Sequence, residues 1–269
     1  MRLTVRHETR YAFDAPASYA VQRLTLTPRS FAAQKVLQWS IEAPGIENAL
    51  AYQDGFGNQV HLLTYNGNAS ELTVLAHGVI ETTDSAGLVS GLTQAAPDAI
   101  FLRQTGSTAP DGELLAMAAE AGRAGQTMLD QLHALLGLIH RRVAYETGST
   151  DVQTSAGQAL ARGRGVCQDH AHIFLSAARA LGIPSRFVTG YIVTGVGQSA
   201  TAGHAWAEAL VPDLGWCGFD ATNCKSPDGH YVRVASGLDA LSVTPVRGSR
   251  RGGGGERLEV SVRVEMTGQ

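Results

Sequence analysis

Of the side chains in this sequence, a cysteine thiol offers the most direct covalent chemistry, and one of the three cysteines sits where that chemistry is favoured. Gly163-Arg164-Gly165-Val166 reads as a tight turn, Cys167 follows it, and Ala171 to Leu181 are helix formers. Ile173, Phe174, Ala177, Ala178 and Leu181 recur at the 3.6-residue period of a buried helical face. Gly182 and Pro184 supply the stop. The spacing predicts Cys167 in the first turn of a buried helix. Unpaired N–H groups and the positive end of the helix dipole favour a thiolate there. The backbone N–H of Cys167 is also placed to help hold an oxyanion. Cys217 and Cys224 lack that context and read as small hydrophobes.

A thiol nucleophile needs a base, and the base needs a group to orient it. His204 and Asp220 fill these roles if His204 to Val211 and Trp216 to Thr222 form a hairpin around Pro212-Asp213-Leu214-Gly215. With His204 opposite Asp220, Trp206 faces Gly218, Glu208 faces Trp216, and Ala209 to Gly215 is left as the loop. That even register projects both polar side chains from one face, with Cβ atoms ~5 Å apart. Packing the cysteine helix on that face brings the thiol to the other imidazole nitrogen. His7, His61, His77, His133, His140 and His230 read as surface or packing residues. His170 and His172 share the cysteine helix, but no second cysteine or histidine pair has ligand spacing, so neither metal nor cofactor is expected. His172 is expected to satisfy a hydrogen bond in the core. Trp206 and Trp216 read as core aromatics, and Trp206 also as a shield of the reacting sulfur against water. Glu208 reads as an internal salt-bridge partner.

The elements that must position these residues fall into distinct textures. Leu3, Val5, His7, Thr9 and Tyr11 alternate with polar residues as in a half-buried strand. Short strands at Val21 to Thr27, Val36 to Ala43, Val60 to Tyr65 and Leu72 to Thr82 follow, separated by Pro28, Pro44-Gly45, Asp54 to Asn58 and Asn66-Gly67-Asn68. Residues 1–82 therefore read as an N-terminal β-sandwich. A linker spans 83–95. An α+β unit covers 96–248, with helices at about Glu113 to Ala121 and Met128 to Arg142 and a short one opened by Ser155. Arg186 to Val193 reads as a strand and Thr194 to Gly203 as an exposed loop. Residues 249–269 hold a glycine-rich turn and a last strand expected to return to one of the sheets.

The motifs Gly165-Val166-Cys167-Gln168-Asp169, Leu181-Gly182-Ile183-Pro184-Ser185-Arg186 with Thr189-Gly190-Tyr191, His204-Ala205-Trp206-Ala207-Glu208, and Gly215-Trp216 with Asp220-Ala221-Thr222 stand in order along the chain. Together they resemble the transglutaminase-like core, a papain-related superfamily of Cys-His-Asp enzymes. The β-rich first third resembles the N-terminal domain of bacterial members. Ala221 and Cys224 are minor departures from the pattern. The resemblance implies a papain-like fold with Cys167 as nucleophile, His204 as base and Asp220 as third member. It implies acyl transfer or hydrolysis at an amide or peptide carbonyl through a cysteine thioester, on a peptide or protein substrate, with an amine or water as acceptor. Beyond the Cys167 N–H, the oxyanion donor it implies is a side chain, with Tyr145 and Gln168 competing. A rival of a different class, a non-catalytic scaffold, would be marked by a lost triad member, and none is lost.

Composition narrows the setting. The chain has 269 residues, 44% hydrophobic and 17% charged, with a net charge of -3, an ordinary globular balance. Nothing in it calls for nucleic acid or an anionic membrane as partner. Met1-Arg2-Leu3-Thr4-Val5 lacks the apolar run of a signal peptide, and no stretch has the length of a membrane helix. Three cysteines make no disulfide framework, so a reducing, cytoplasmic setting is expected. A homo-oligomer is left open.

Overall fold

The computed structural model describes residues 1–93, 96–193 and 203–266. Most of the loop expected at Thr194 to Gly203 thus lies outside the described residues. The strand-rich first third contains β1 (Arg2–Thr27), β2 (Gln34–Glu42), β3 (Leu50–Gln53) and β4 (Gln59–Thr82). A two-residue strand, β5 (Leu88–Val89), falls in the stretch read as a linker. The helical part brings α1 (Gly112–Ala124), α2 (Met128–Arg142) and α3 (Ala156–Arg162), with short strands β6 (Ala144–Tyr145) and β7 (Arg164–Gly165). Then come α4 (Cys167–Ala180), β8 (Ser185–Ile192), β9 (His204–Val211), β10 (Gly215–Phe219) and β11 (Tyr231–Gly237). The chain closes with β12 (Val246–Gly252) and β13 (Glu256–Met266).

Hydrogen bonding joins β12, β1, β4 and β2 in that order, with β13 on β1 and β3 on β4, into one six-stranded sheet. Where several short strands were expected, two long strands run the length of this sheet. The proline and glycine punctuation was the misleading signal. Pro16 sits where the β1 register shifts between Ala12 and Ala17, a bulge at which no ladder N–H is needed. Asn66-Gly67-Asn68 lies at the matching irregularity in β4, because Tyr19 pairs with Asn66 and Ala17 with Ala69. Both strands bulge at the same level, so they bend together instead of reversing. The bend lets Leu24, Leu26 and Leu63 from one half share a buried cluster with Val74 and Ala76 from the other.

The second sheet runs β11-β8-β9-β10-β5. Helix α4 packs on it, with every residue from Asp169 to Arg179 buried. Phe174 is fully enclosed and stacks on Phe219, ring centroids 5.1 Å apart. Removing such a side chain from water contributes ~1.5–3 kcal/mol. α2 is closed by the expected capping box, in which Thr127 and Asp130 bond reciprocally.

The two sheets are stitched along β11. Gln34 donates to the Arg233 carbonyl and accepts from its N–H at 2.9 and 2.8 Å. Asn58 does the same to Ser236, at 2.8 Å in both directions. Two amide side chains thereby act as a missing neighbour strand and satisfy a sheet edge. Leu3, Val5, Ile80, Val262 and Val264 join the core of the helical part.

Candidate active site

The turn before α4 is shaped by small residues. Gly163 caps α3 at φ 64, a left-handed conformation that suits glycine. A Cβ at Gly165 would meet the Asp169 side chain at 2.8 Å, so only glycine fits against it. Asp169 is buried, and its Oδ2 accepts from the Val166 N–H at 2.8 Å and the Thr150 hydroxyl at 2.6 Å. A carboxylate in the first turn meets both the free N–H groups and the positive dipole end. That contact fixes the turn, and Cys167 opens the helix half-buried with a free thiol.

His204 begins β9 and pairs with Gly190 of β8. A Cβ at Gly190 would collide with the Val232 carbonyl and crowd the Trp206 ring, so the strands approach closely here. The β9–β10 hairpin is tighter than expected: Gly215 pairs with Val211 and Gly218 with Glu208. The register has slid by two residues from the expected one, which set Gly218 against Trp206. Asp213 at φ 65 and Gly215 at φ 84 allow the shorter loop. An even slip preserves which face each side chain occupies, so His204 and Asp220 still converge, now on a diagonal. His204 Nε2 donates to Asp220 Oδ2 at 2.7 Å. The Cys167 side chain is a second hydrogen-bond partner of the imidazole.

Asp220 is fully buried and accepts from five donors. Its Oδ2 takes His204, the Asn223 amide at 2.7 Å and the Tyr231 hydroxyl at 2.7 Å. Its Oδ1 takes the backbone N–H groups of Thr222 and Asn223 at 3.0 and 3.2 Å. Burial alone would raise the carboxyl pKa, but these bonds, led by His204, hold it below its ordinary value. Burial likewise works against the imidazolium, yet Asp220 and Cys167 together push His204 up to about 9. A thiol, an imidazole and a buried carboxylate are thus linked through His204.

Residues 116–221 match the transglutaminase-like superfamily, and residues 3–81 match the bacterial transglutaminase-like N-terminal region. The chain carries a transglutaminase-like core behind a bacterial transglutaminase-like N-terminal region. An uncharacterized protein of Mycobacterium leprae is 29% identical to it over 98% of each chain. One from Mycobacterium tuberculosis is 25% identical over 92% of this chain and 87% of its own. The crystal structure of a candidate cysteine protease from Cytophaga hutchinsonii superposes with a TM-score of 0.77 at 22% identity, covering 100% of this chain and 92% of that one. That likeness shows the shared fold.

The remaining expected residues of this transglutaminase-like chain take distinct places. Tyr145 is held beside the turn by a parallel bridge to Gly165, half-exposed, and its hydroxyl pKa is raised by partial burial and by the charge of nearby Cys167. Gln168 lines the groove that holds Cys167 and His204. Trp206 does not line that groove; it stacks behind His204, ring centroids 6.2 Å apart, and meets Tyr231 edge-on. Glu208 is an internal ion-pair partner, bonded to Arg186 Nε at 2.6 Å and Arg233 Nε at 2.8 Å. Burial would raise its carboxyl pKa, but the two guanidiniums draw it down to about 2. Trp216 lies under the Arg186 guanidinium at 3.9 Å.

His170 is spent on structure, donating from Nε2 to the Val143 carbonyl at 3.1 Å and accepting at Nδ1 from Thr222 at 2.9 Å. His172 accepts at Nε2 from the Ala240 N–H at 3.1 Å, as a core histidine should. Sequence reasoning missed Asn223 and Tyr231. Asn223 was findable, because an aspartate whose side chain bonds the N–H groups two and three residues on is an Asx turn. Tyr231 had no local signal, since β11 reaches Asp220 only through the fold.

Proposed function

We propose that Cys167, His204 and Asp220 form a catalytic triad that transfers an acyl group through a thioester. The 2.7 Å bond from His204 Nε2 to Asp220, with the Cys167 side chain as a further hydrogen-bond partner of the imidazole, carries this reading. Asp220 fixes the tautomer that leaves Nδ1 toward the sulfur and stabilises the imidazolium. The Cys167 thiolate attacks the carbonyl carbon of an amide and forms the S–C bond. The oxyanion is held by the Cys167 N–H at the head of α4 and by Tyr145, favoured over Gln168 because its hydroxyl feels the cysteine charge. His204 gives its proton to the departing amine as the C–N bond breaks. An incoming amine or water then loses a proton to His204 and displaces the sulfur, which releases a new amide or an acid.

Both acceptors use the same intermediate. Trp206 stands behind the imidazole and not over the groove, which favours access of water and keeps hydrolysis as the second reading. Cys167→Ala tests the proposal. Turnover of a panel of glutamine-containing peptides and amides, with and without added amine, should vanish while the melting temperature stays near that of the wild type. Retained turnover would refute the triad.

A further inference from the structure

The groove over Cys167 has a composition that selects its ligand. It encloses about 310 Å³ and is lined by Cys167 and His204 on one side. That volume lies at the small end of ligand pockets, about 300–1,000 Å³. It suits the reacting amide and one neighbouring side chain better than a long extended segment. No aspartate, glutamate, lysine or arginine lines it among the described residues. Phe187 and Val243 give it an apolar floor. Val152 and Leu241 line it too, although they are 83% and 57% exposed, an unfavourable use of apolar surface unless something covers it.

The wall that carries Leu241 is held in place before any ligand arrives. The Ala240 N–H bonds to His172 of α4 at 3.1 Å, Ser242 N–H to Asp239 at 2.9 Å, and Thr25 N–H of β1 to the Pro245 carbonyl at 2.9 Å. A strand of the N-terminal sheet therefore braces one side of the groove, and preorganisation of this kind favours discrimination. Beyond the Cys167–His204 pair itself, a charged side chain entering it would lose water and find no charged partner among the described lining residues, whereas an apolar one would cover Val152 and Leu241.

We infer that the groove selects an acyl donor whose residue at the reactive carbonyl is uncharged and apolar, clamped between Val152 and Leu241. The inference rests on the thioester chemistry proposed above and adds its substrate class. N-acetyl-aminoacyl chloromethyl ketones bearing leucine, alanine, aspartate or lysine test it, with alkylation of Cys167 followed by intact mass and peptide mapping. Each rate is divided by the iodoacetamide rate of the same protein, so that thiol reactivity cancels. The leucine probe should lead the aspartate and lysine probes by about tenfold or more, within the 10–200-fold span a hydrophobic pocket achieves. Val152→Lys and Leu241→Lys, both at exposed positions, should shrink that lead and raise the relative rate of the aspartate probe. A flat series, a preference for a charged probe, or a lead unchanged in both variants would overturn the inference while leaving the triad standing. If iodoacetamide labels Cys167 no faster than Cys224, the thiol chemistry falls and this inference falls with it.

Discussion

Replacing Asp220 by asparagine perturbs the site at the point where the structure gives the clearest magnitude. His204 is lifted from 6.5 to about 9 against the opposing effect of burial, with the Asp220 hydrogen bond the foremost raising cause. At ~1.4 kcal/mol per tenfold change, that lift corresponds to roughly 3 kcal/mol in favour of the imidazolium. Asparagine keeps the shape but removes the charge and one acceptor from a carboxylate that takes three donors on Oδ2. Most of the 3 kcal/mol should go, and acylation by the leucine chloromethyl ketone should slow about 100-fold. His204, followed by its ring NMR signals against pH, should titrate well below 9. The stability profile should change in the same sense. A raised histidine contributes stability that is complete below ~6.5 and lost as pH rises through about 9, so the variant should lose less stability across that window than the wild type. A depressed carboxyl contributes stability above ~3.9 that is lost as pH falls below it, so the variant should also be less sensitive to acid. An Asp220→Asn protein whose His204 still titrates near 9, with an unchanged acylation rate, would refute the reasoning.

Glu208→Gln should remove the buried carboxylate that pairs with Arg186 and Arg233 and cost about 3–5 kcal/mol, seen as a melting temperature lower by roughly 10 °C. Tyr145→Phe should slow acylation about 100-fold while leaving the melting temperature unchanged, because it removes only a hydroxyl from a half-exposed ring. Gln168→Ala should slow it far less, and the reverse ranking in the same peptide assay would reassign the oxyanion donor.

How far the sequence could be read depended on whether the relevant contact was local. Helix α4 was legible because Gly163, Gly165, Gly182 and the apolar period around Phe174 all act within a few turns of Cys167. The convergence of His204 with Asp220 was legible for a similar reason. Strand alternation has a period of two, so the expected register was wrong by two residues and still right about the face. The long strands were not legible. Pro16 and Asn66-Gly67-Asn68 carry turn chemistry locally, and only the pairing of β1 with β4 turns both into one shared bulge. The Tyr231 bond to Asp220 and the Gln34 and Asn58 bonds to β11 join residues far apart in the chain, beyond what local pattern encodes. The groove wall at Leu241 was hidden likewise, since it needs His172 and Thr25 to meet the same turn.

The proposed triad requires that His204 and Asp220 activate the Cys167 sulfur. Iodoacetamide alkylation of Cys167 between pH 5 and pH 10, in the wild type and in His204→Ala, measures that directly, with exposed Cys224 as the internal reference. The account predicts that wild-type Cys167 outpaces Cys224 severalfold at pH 6, and that His204→Ala erases the lead. Equal rates at pH 6, or a lead that survives loss of the imidazole, would contradict it.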